Sequence, residues 1–185
     1  MVFSLRIALV TTGLLLLGAC RSEPIQFHTL TPAHDVTPAQ GAEIQIESIS
    51  VPPQVDRPQV VIRQGDSGVA ILETQWWAAS LVDELRSALA GQLTSSPPRP
   101  HTSVRLDVQR FDSIPGQYAL LDVKWRLRRS GAGALPLQTC RTVLQSPAGS
   151  GIDELVIAHQ SNIKRLAAVI NQAADHAAGG CPASQ

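Results

Sequence analysis

An excess of charge of either sign is missing from this chain. Fifteen Lys and Arg balance fifteen Asp and Glu, for a formal net charge of zero. Such a chain projects no strong field, so electrostatic capture of nucleic acid or of an anionic bilayer surface is excluded as its main business. Cysteine is limited to Cys20, Cys140 and Cys181, with no Cys-x-x-Cys pair, and the five His are scattered with no His-x-x-x-His. No metal site is therefore supported at the level of spacing. A Gly-x-Ser-x-Gly elbow and a phosphate-cradling glycine loop are also missing. Asp83-Glu84 and Asp153-Glu154 are adjacent carboxylates, and neighbours on a helix point in different directions. They read as solvated faces, not acid/base pairs. These gaps predict a protein that is not an enzyme and needs no cofactor. Aromatics are only 4% of the chain, so each one is informative.

Long apolar runs are absent too. The stretch from Ile7 to Leu17 is broken by Thr11, Thr12 and Gly13 and is too short to span about 30 Å of hydrocarbon. With Arg6 ahead of it and Leu17-Gly18-Ala19-Cys20 behind it, it has the charged start, short core and small residues of a secretory signal. A Cys directly after Leu-Gly-Ala matches the bacterial lipobox; the other reading is an ordinary signal peptide with an accidental Cys. The lipobox makes residues 1–19 a leader and Cys20 the lipidated N-terminus. Two or more acyl chains make such an anchor stable, where one is marginal. Arg21, in the place where Asp retains enteric lipoproteins in the inner membrane, favours the periplasmic face of the outer membrane over the inner membrane. The mature chain of about 165 residues suits one domain with a real core. In an oxidising periplasm the remaining pair, Cys140 and Cys181, predicts a disulfide; two free thiols, one of them buried, is the other reading.

Residues 20–24 form a tether, 25–178 a single domain and 179–185 a tail. Ile25 to Leu30, Glu43 to Val51, Val55 to Arg63 and Gly68 to Leu72 read as strands. In Glu43–Val51, Ile44, Ile46 and Ser48 share one face by period two. Trp77, Leu81, Leu85, Leu89 and Leu93 then recur every four residues, predicting a helix with Thr74 as N-cap. Ser103 to Phe111, Gln117 to Arg128 and Leu135 to Gln145 alternate as an antiparallel meander. A long helix follows from about Ile152 to Ala177, with His159 on its inner stripe and Gly179-Gly180 ending it. A right-handed crossover makes Glu43–Val51 and Ser103–Phe111 parallel neighbours. The expected fold is α/β: one mixed sheet, a βαβ crossover, a meander and a long C-terminal helix.

Two local features rise above this background. Val51-Pro52-Pro53-Gln54-Val55-Asp56-Arg57-Pro58 reads as a rigid strand-to-strand corner, Pro58 forcing Arg57 toward extended geometry. Trp76-Trp77 is the second; Trp77 joins the buried stripe, and Trp76 either stands at its margin as a contact for lipid or a partner, or is core as well. The order of Cys20, Phe27-His28-Thr29-Leu30, Val51-Pro52, Asp56-Arg57-Pro58-Gln59 and Trp77 resembles the PqiC/YmbA-type family of ABC-transport auxiliary lipoproteins, over essentially the whole mature chain. Trp77-Ala78-Ala79-Ser80-Leu81 departs from the family's usual Trp-Ala-Glu-Pro-Leu, so nothing tied to that Glu or Pro carries over. The resemblance implies a three-layer α/β fold, similar in outline to anticodon-binding domains and the N-terminal domain of TolB. It also implies a docking subunit of an intermembrane lipid-transport machine with an MCE-domain, PqiB-like protein and an inner-membrane permease. Self-association would suit docking around a tubular partner. The alternatives are a stand-alone lipoprotein that binds a lipid or small ligand, and a periplasmic hydrolase.

Overall fold

A computed structural model describes residues 23–33, 42–90, 92–95, 102–130, 136–176 and 180–182. Its frame is the meander. Strands β7 (Thr102–Ile114), β8 (Tyr118–Arg129) and β9 (Gln138–Pro147) pair antiparallel in sequence order. Alternation decides which face turns inward: Val104, Leu106 and Val108 are buried, as are Val123, Trp125 and Leu127. A register shift between Val108 and Arg110 then turns Phe111 and Ser113 inward as well. The first half of β8, Ala119 to Val123, is buried on both faces. Helix α2 (Ile152–Asp175) packs across β8 and β9, with Leu155 and Ala158 against Ala119. Glu154 opens it by accepting from the backbone N–H of Gly151 at 2.6 Å. The helix stops at Asp175, before Gly179-Gly180 is reached; Gly179 lies outside the described residues.

Strand β3 (Gln45–Ser50) lies parallel to β7, which is the expected crossover pairing. It continues β2 (Ala42–Glu43), which pairs antiparallel with β6 (Thr94–Ser95). A shift between Ile46 and Ser48 breaks the predicted face: Ile44 and Ile49 are buried while Ser48 is exposed. The segment ahead of β3 and the first part of the crossover together build a second mixed sheet, ordered β1-β5-β4. Here β1 (Gln26–His28) runs parallel to β5 (Gly68–Trp77), and β4 (Gln59–Gln64) pairs with β5 antiparallel around Gly65 at φ +59°. Only glycine enters that conformation without strain.

The largest correction concerns Trp77 and Thr74, which end a strand instead of opening a helix. β5 extends through Trp77, and helix α1 covers only Leu81–Leu89. Ser80 is the N-cap, accepting from the Asp83 backbone N–H at 3.1 Å. The four-residue spacing from Trp77 to Leu81 is coincidental: both side chains reach one core, from a strand end and a helix start. That core is continuous from Leu30 and Trp77 through Leu85 and Trp125 to Ile170. No helix among the described residues is long and apolar enough to cross a membrane.

Candidate functional site

The corner between β3 and β4 is built by prolines and closed by main-chain bonds. Val55 and Asp56 donate their N–H groups to Pro52 O at 3.0 and 3.2 Å, and Arg57 donates to Val55 O at 2.9 Å. Pro58 cannot donate, but its carbonyl accepts from Trp77 N at 2.7 Å. Gln59 lies opposite Trp76. The sheet therefore brings Pro58 and the tryptophan pair, far apart in sequence, onto one corner. Asp56 is exposed there and Arg57 half-buried. The Arg57 Nε is covered and has no hydrogen-bond acceptor among the described residues, so the corner holds an unmatched cationic donor.

The two tryptophans divide their work. Trp77 is 4% exposed and meets Phe111 edge-on, with centroids 6.2 Å apart. Trp76 is half-buried; its Nε1 donates to Glu73 O at 2.9 Å and its ring meets Phe27 edge-on at 6.4 Å. Phe27 itself is 64% exposed. Beside the corner, Pro52, Val55, Val61, Val69 and Asp112 help line a groove of about 170 Å³. Asp112 accepts from Arg110 NH2 at 2.5 Å on its rim.

Sequence reasoning missed one buried carboxylate and the partners of a histidine it had placed on the inner stripe. Glu84, expected on a solvated face, is 5% exposed. Its Oε2 accepts from Thr29 Oγ1 at 2.8 Å and from the Leu30 N–H at 2.7 Å, so it clasps the segment after β1 to α1. The signal was present: Glu84 falls on the apolar stripe with Leu81, Leu85 and Ala88. Asp83 is exposed, as expected. His159 is fully buried, stacked on Phe111 with centroids 3.9 Å apart, and its Nε2 lies 2.9 Å from Ser113 Oγ. Burial pushes its pKa down to about 3, so it stays neutral at pH 7. A neutral His beside a Ser is half of an acyl-transfer pair, but Nδ1 has no orienting partner and the Ser is 2% exposed. Substrate has no approach to it. Ser161 and Lys164, at Ser-x-x-Lys spacing, are exposed on α2 and not held in a pocket.

Among the described residues no three His, Cys, Asp or Glu converge as a metal site would require. Cys140 and Cys181 are bonded, with Cα atoms 5.6 Å apart; the Gln138 side chain donates to Gly180 O at 2.5 Å beside them. Cys20 lies outside the described residues. A family model described as the ABC-type transport auxiliary lipoprotein component matches residues 26–171. The chain belongs to that family. The match starts at the first residue of β1, so the strand carrying Phe27 is part of this auxiliary lipoprotein's shared fold.

Solved structures agree on the fold. A crystal structure of an uncharacterized protein superposes with a TM-score of 0.65 at 20% identity, covering 81% of this chain and 98% of the other. A Xanthomonas campestris protein of family DUF330 gives 0.52 at 16% identity, covering 78% and 89%. No curated protein matches.

Proposed function

We propose that this auxiliary lipoprotein is anchored through Cys20 on the periplasmic face of the outer membrane. There it serves as a non-enzymatic docking subunit of a Pqi-type intermembrane lipid-transport system. Its partner would be an MCE-domain, periplasm-spanning protein and, through it, an inner-membrane permease. The observation that carries the reading is the family match from Gln26 to Asn171, which names an auxiliary component and not a carrier. The corner offers a surface of the right kind: Asp56 is exposed and Arg57 half-buried, beside a groove lined by Pro52 and Val55, and arginine is among the residue types that dominate binding hot spots. Ligand pockets run to roughly 300–1,000 Å³, and the groove at the corner is about 170 Å³, so that groove does not supply the lipid site a stand-alone binder needs.

Affinity purification of the full-length protein from membranes in mild detergent should recover the MCE-domain protein. Its loss from a preparation that keeps a control transporter intact would overturn the docking role. Asp56→Ala with Arg57→Ala should lower that recovery while leaving the unfolding midpoint unchanged. Cys20→Ser should abolish fatty-acid labelling.

A further inference from the structure

Seven large apolar side chains are exposed among the described residues: Ile25, Phe27, Val69, Ile71, Leu137, Val143 and Ile157. They are not spread evenly. Ile25 and Phe27 lead into and occupy β1, and Val69 and Ile71 belong to β5 of the same sheet. Phe27 is in register with Trp76 and touches its ring. Ile157 stands at 62% exposure on α2, on the helix face shared by Asp153 and Gln160. Both neighbours hold the β1 segment: Asp153 Oδ1 is 3.3 Å from His28 Nδ1, and Gln160 Nε2 donates to Thr29 O at 3.0 Å. Surface apolar groups are ordinary singly and informative when gathered.

Chain length says what covers this patch. Only five residue steps separate Cys20 from Ile25, and a fully extended chain spans at most about 3.5 Å per residue, so Ile25 lies within roughly 18 Å of the anchoring cysteine. Phe27 is two residues further on. An apolar strand so close to acyl chains has the bilayer surface as its nearest neighbour. We propose that Ile25, Phe27 and Trp76 form a membrane-facing patch seated in the headgroup region of the bilayer that holds the anchor. This rests on the lipoprotein reading given above and adds to it: the acyl chains attach the domain, and the patch fixes its attitude. Tryptophan and an apolar neighbour are the residue types that favour this interfacial zone. The nearby carboxylates Glu23, Glu73 and Asp153 are exposed and would be repelled by anionic lipid. Contact is therefore through apolar burial, and salt, which screens that repulsion, should not weaken it.

The three tryptophans supply a reporter. Trp77 and Trp125 are 4% and 1% exposed, so only Trp76 can meet lipid. Acylated full-length protein is placed in vesicles of phosphatidylethanolamine and phosphatidylglycerol, part of the lipid brominated near the headgroup end of one chain. Tryptophan fluorescence should be quenched at low salt and no less at high salt. The quenching should vanish in Trp76→Leu and fall in Ile25→Ser with Phe27→Ser, although both variants still float with the vesicles. Protein that carries palmitate and floats, yet is not quenched, overturns the patch and leaves the lipoprotein reading standing. Protein that neither labels nor floats overturns both. A photo-crosslinker at Phe27 should label phospholipid; labelling a second copy of the chain or another protein instead would also overturn the patch.

Discussion

The meander sheet and the β1-β5-β4 sheet are made of similar residues and put to opposite uses. In the meander, β9 reads buried-exposed along its whole length, and polar groups find partners within the sheet. Trp125 Nε1 donates to Thr142 Oγ1 at 2.9 Å, and Arg141 grips Asp122 through bonds of 2.8 and 2.6 Å. That grip holds the Asp122 carboxyl below the usual carboxylate range. The β1-β5-β4 sheet breaks register between Gln59 and Val61 and leaves Phe27, Val69 and Ile71 facing out. The meander puts most of its apolar surface into folding, Val143 excepted, and the other sheet keeps more of its own for contact. Both sheets shift register, so exposed apolar groups and not irregularity mark the working face.

Substitutions that should have unequal effects on the two sheets test this division. Trp125→Ala in the meander should cost about 3–5 kcal/mol, read as a lower denaturant midpoint; a loss as small as that of a surface change would remove the distinction. Replacing Cys140 and Cys181 by Ser together should cost about 4 kcal/mol, since the bridge closes a loop with a sequence separation of 41 and loop-closure entropy scales with its logarithm. Oxidised wild type and the double variant should differ by that amount in urea, and reductant should affect only the former.

Acid acts on the frame through His159. The folded chain holds this imidazole neutral down to about pH 3, whereas the unfolded chain takes up a proton below about pH 6.5. Stability is complete above 6.5 and declines as pH drops toward 3, at about 1.4 kcal/mol per pH unit, or roughly 2 kcal/mol by pH 5. His159→Phe should flatten that slope between pH 7 and 5. Glu84→Ala should cost about 1–3 kcal/mol by stranding the Leu30 amide, with faster hydrogen exchange at Leu30 and little change in β8. Phe27→Ser should shift stability by less than about 0.5 kcal/mol. A cost as large as that of Trp125→Ala would move Phe27 into the frame.

How much of this could be read from the residues follows the same line. β7 and β8 were legible because period-two alternation runs from Thr102 to Val108 and from Val123 to Arg129, with one face buried. The crossover pairing of β3 with β7 followed from handedness alone. Where the backbone breaks period, reading failed: the shift at Ile46/Ser48 moved Ile49 inward, and β5 kept its extended form to Trp77 because tertiary packing against Phe111 outweighed a chance helical spacing. Ser80-Leu81-Val82-Asp83 held the true helix start, a hydroxyl N-cap with a carboxylate three residues on, obscured by the apolar repeat running through it. At the candidate site, the Asp56–Pro58 corner and the tryptophan pair could be named from sequence. Their union through Pro58 and Trp77 could not, because it depends on which strands pair. Glu84 was missed as a buried group, and His159, placed on the inner stripe, could not be matched with Ser113, for a related reason: each finds its partner in a distant segment.

The clasp of Glu84 on Thr29 and Leu30 has a mechanical consequence. Any pull arriving along the chain from residue 23 meets β1 first, and β1 is only three residues long. The load does not stop there. It passes to β5 through the Ala78 N–H bonded to His28 O, to α1 through Glu84, and to α2 through Gln160. A short strand thus shares tension among three elements at once, so a tug on the leash is borne by the whole body instead of peeling away its first segment.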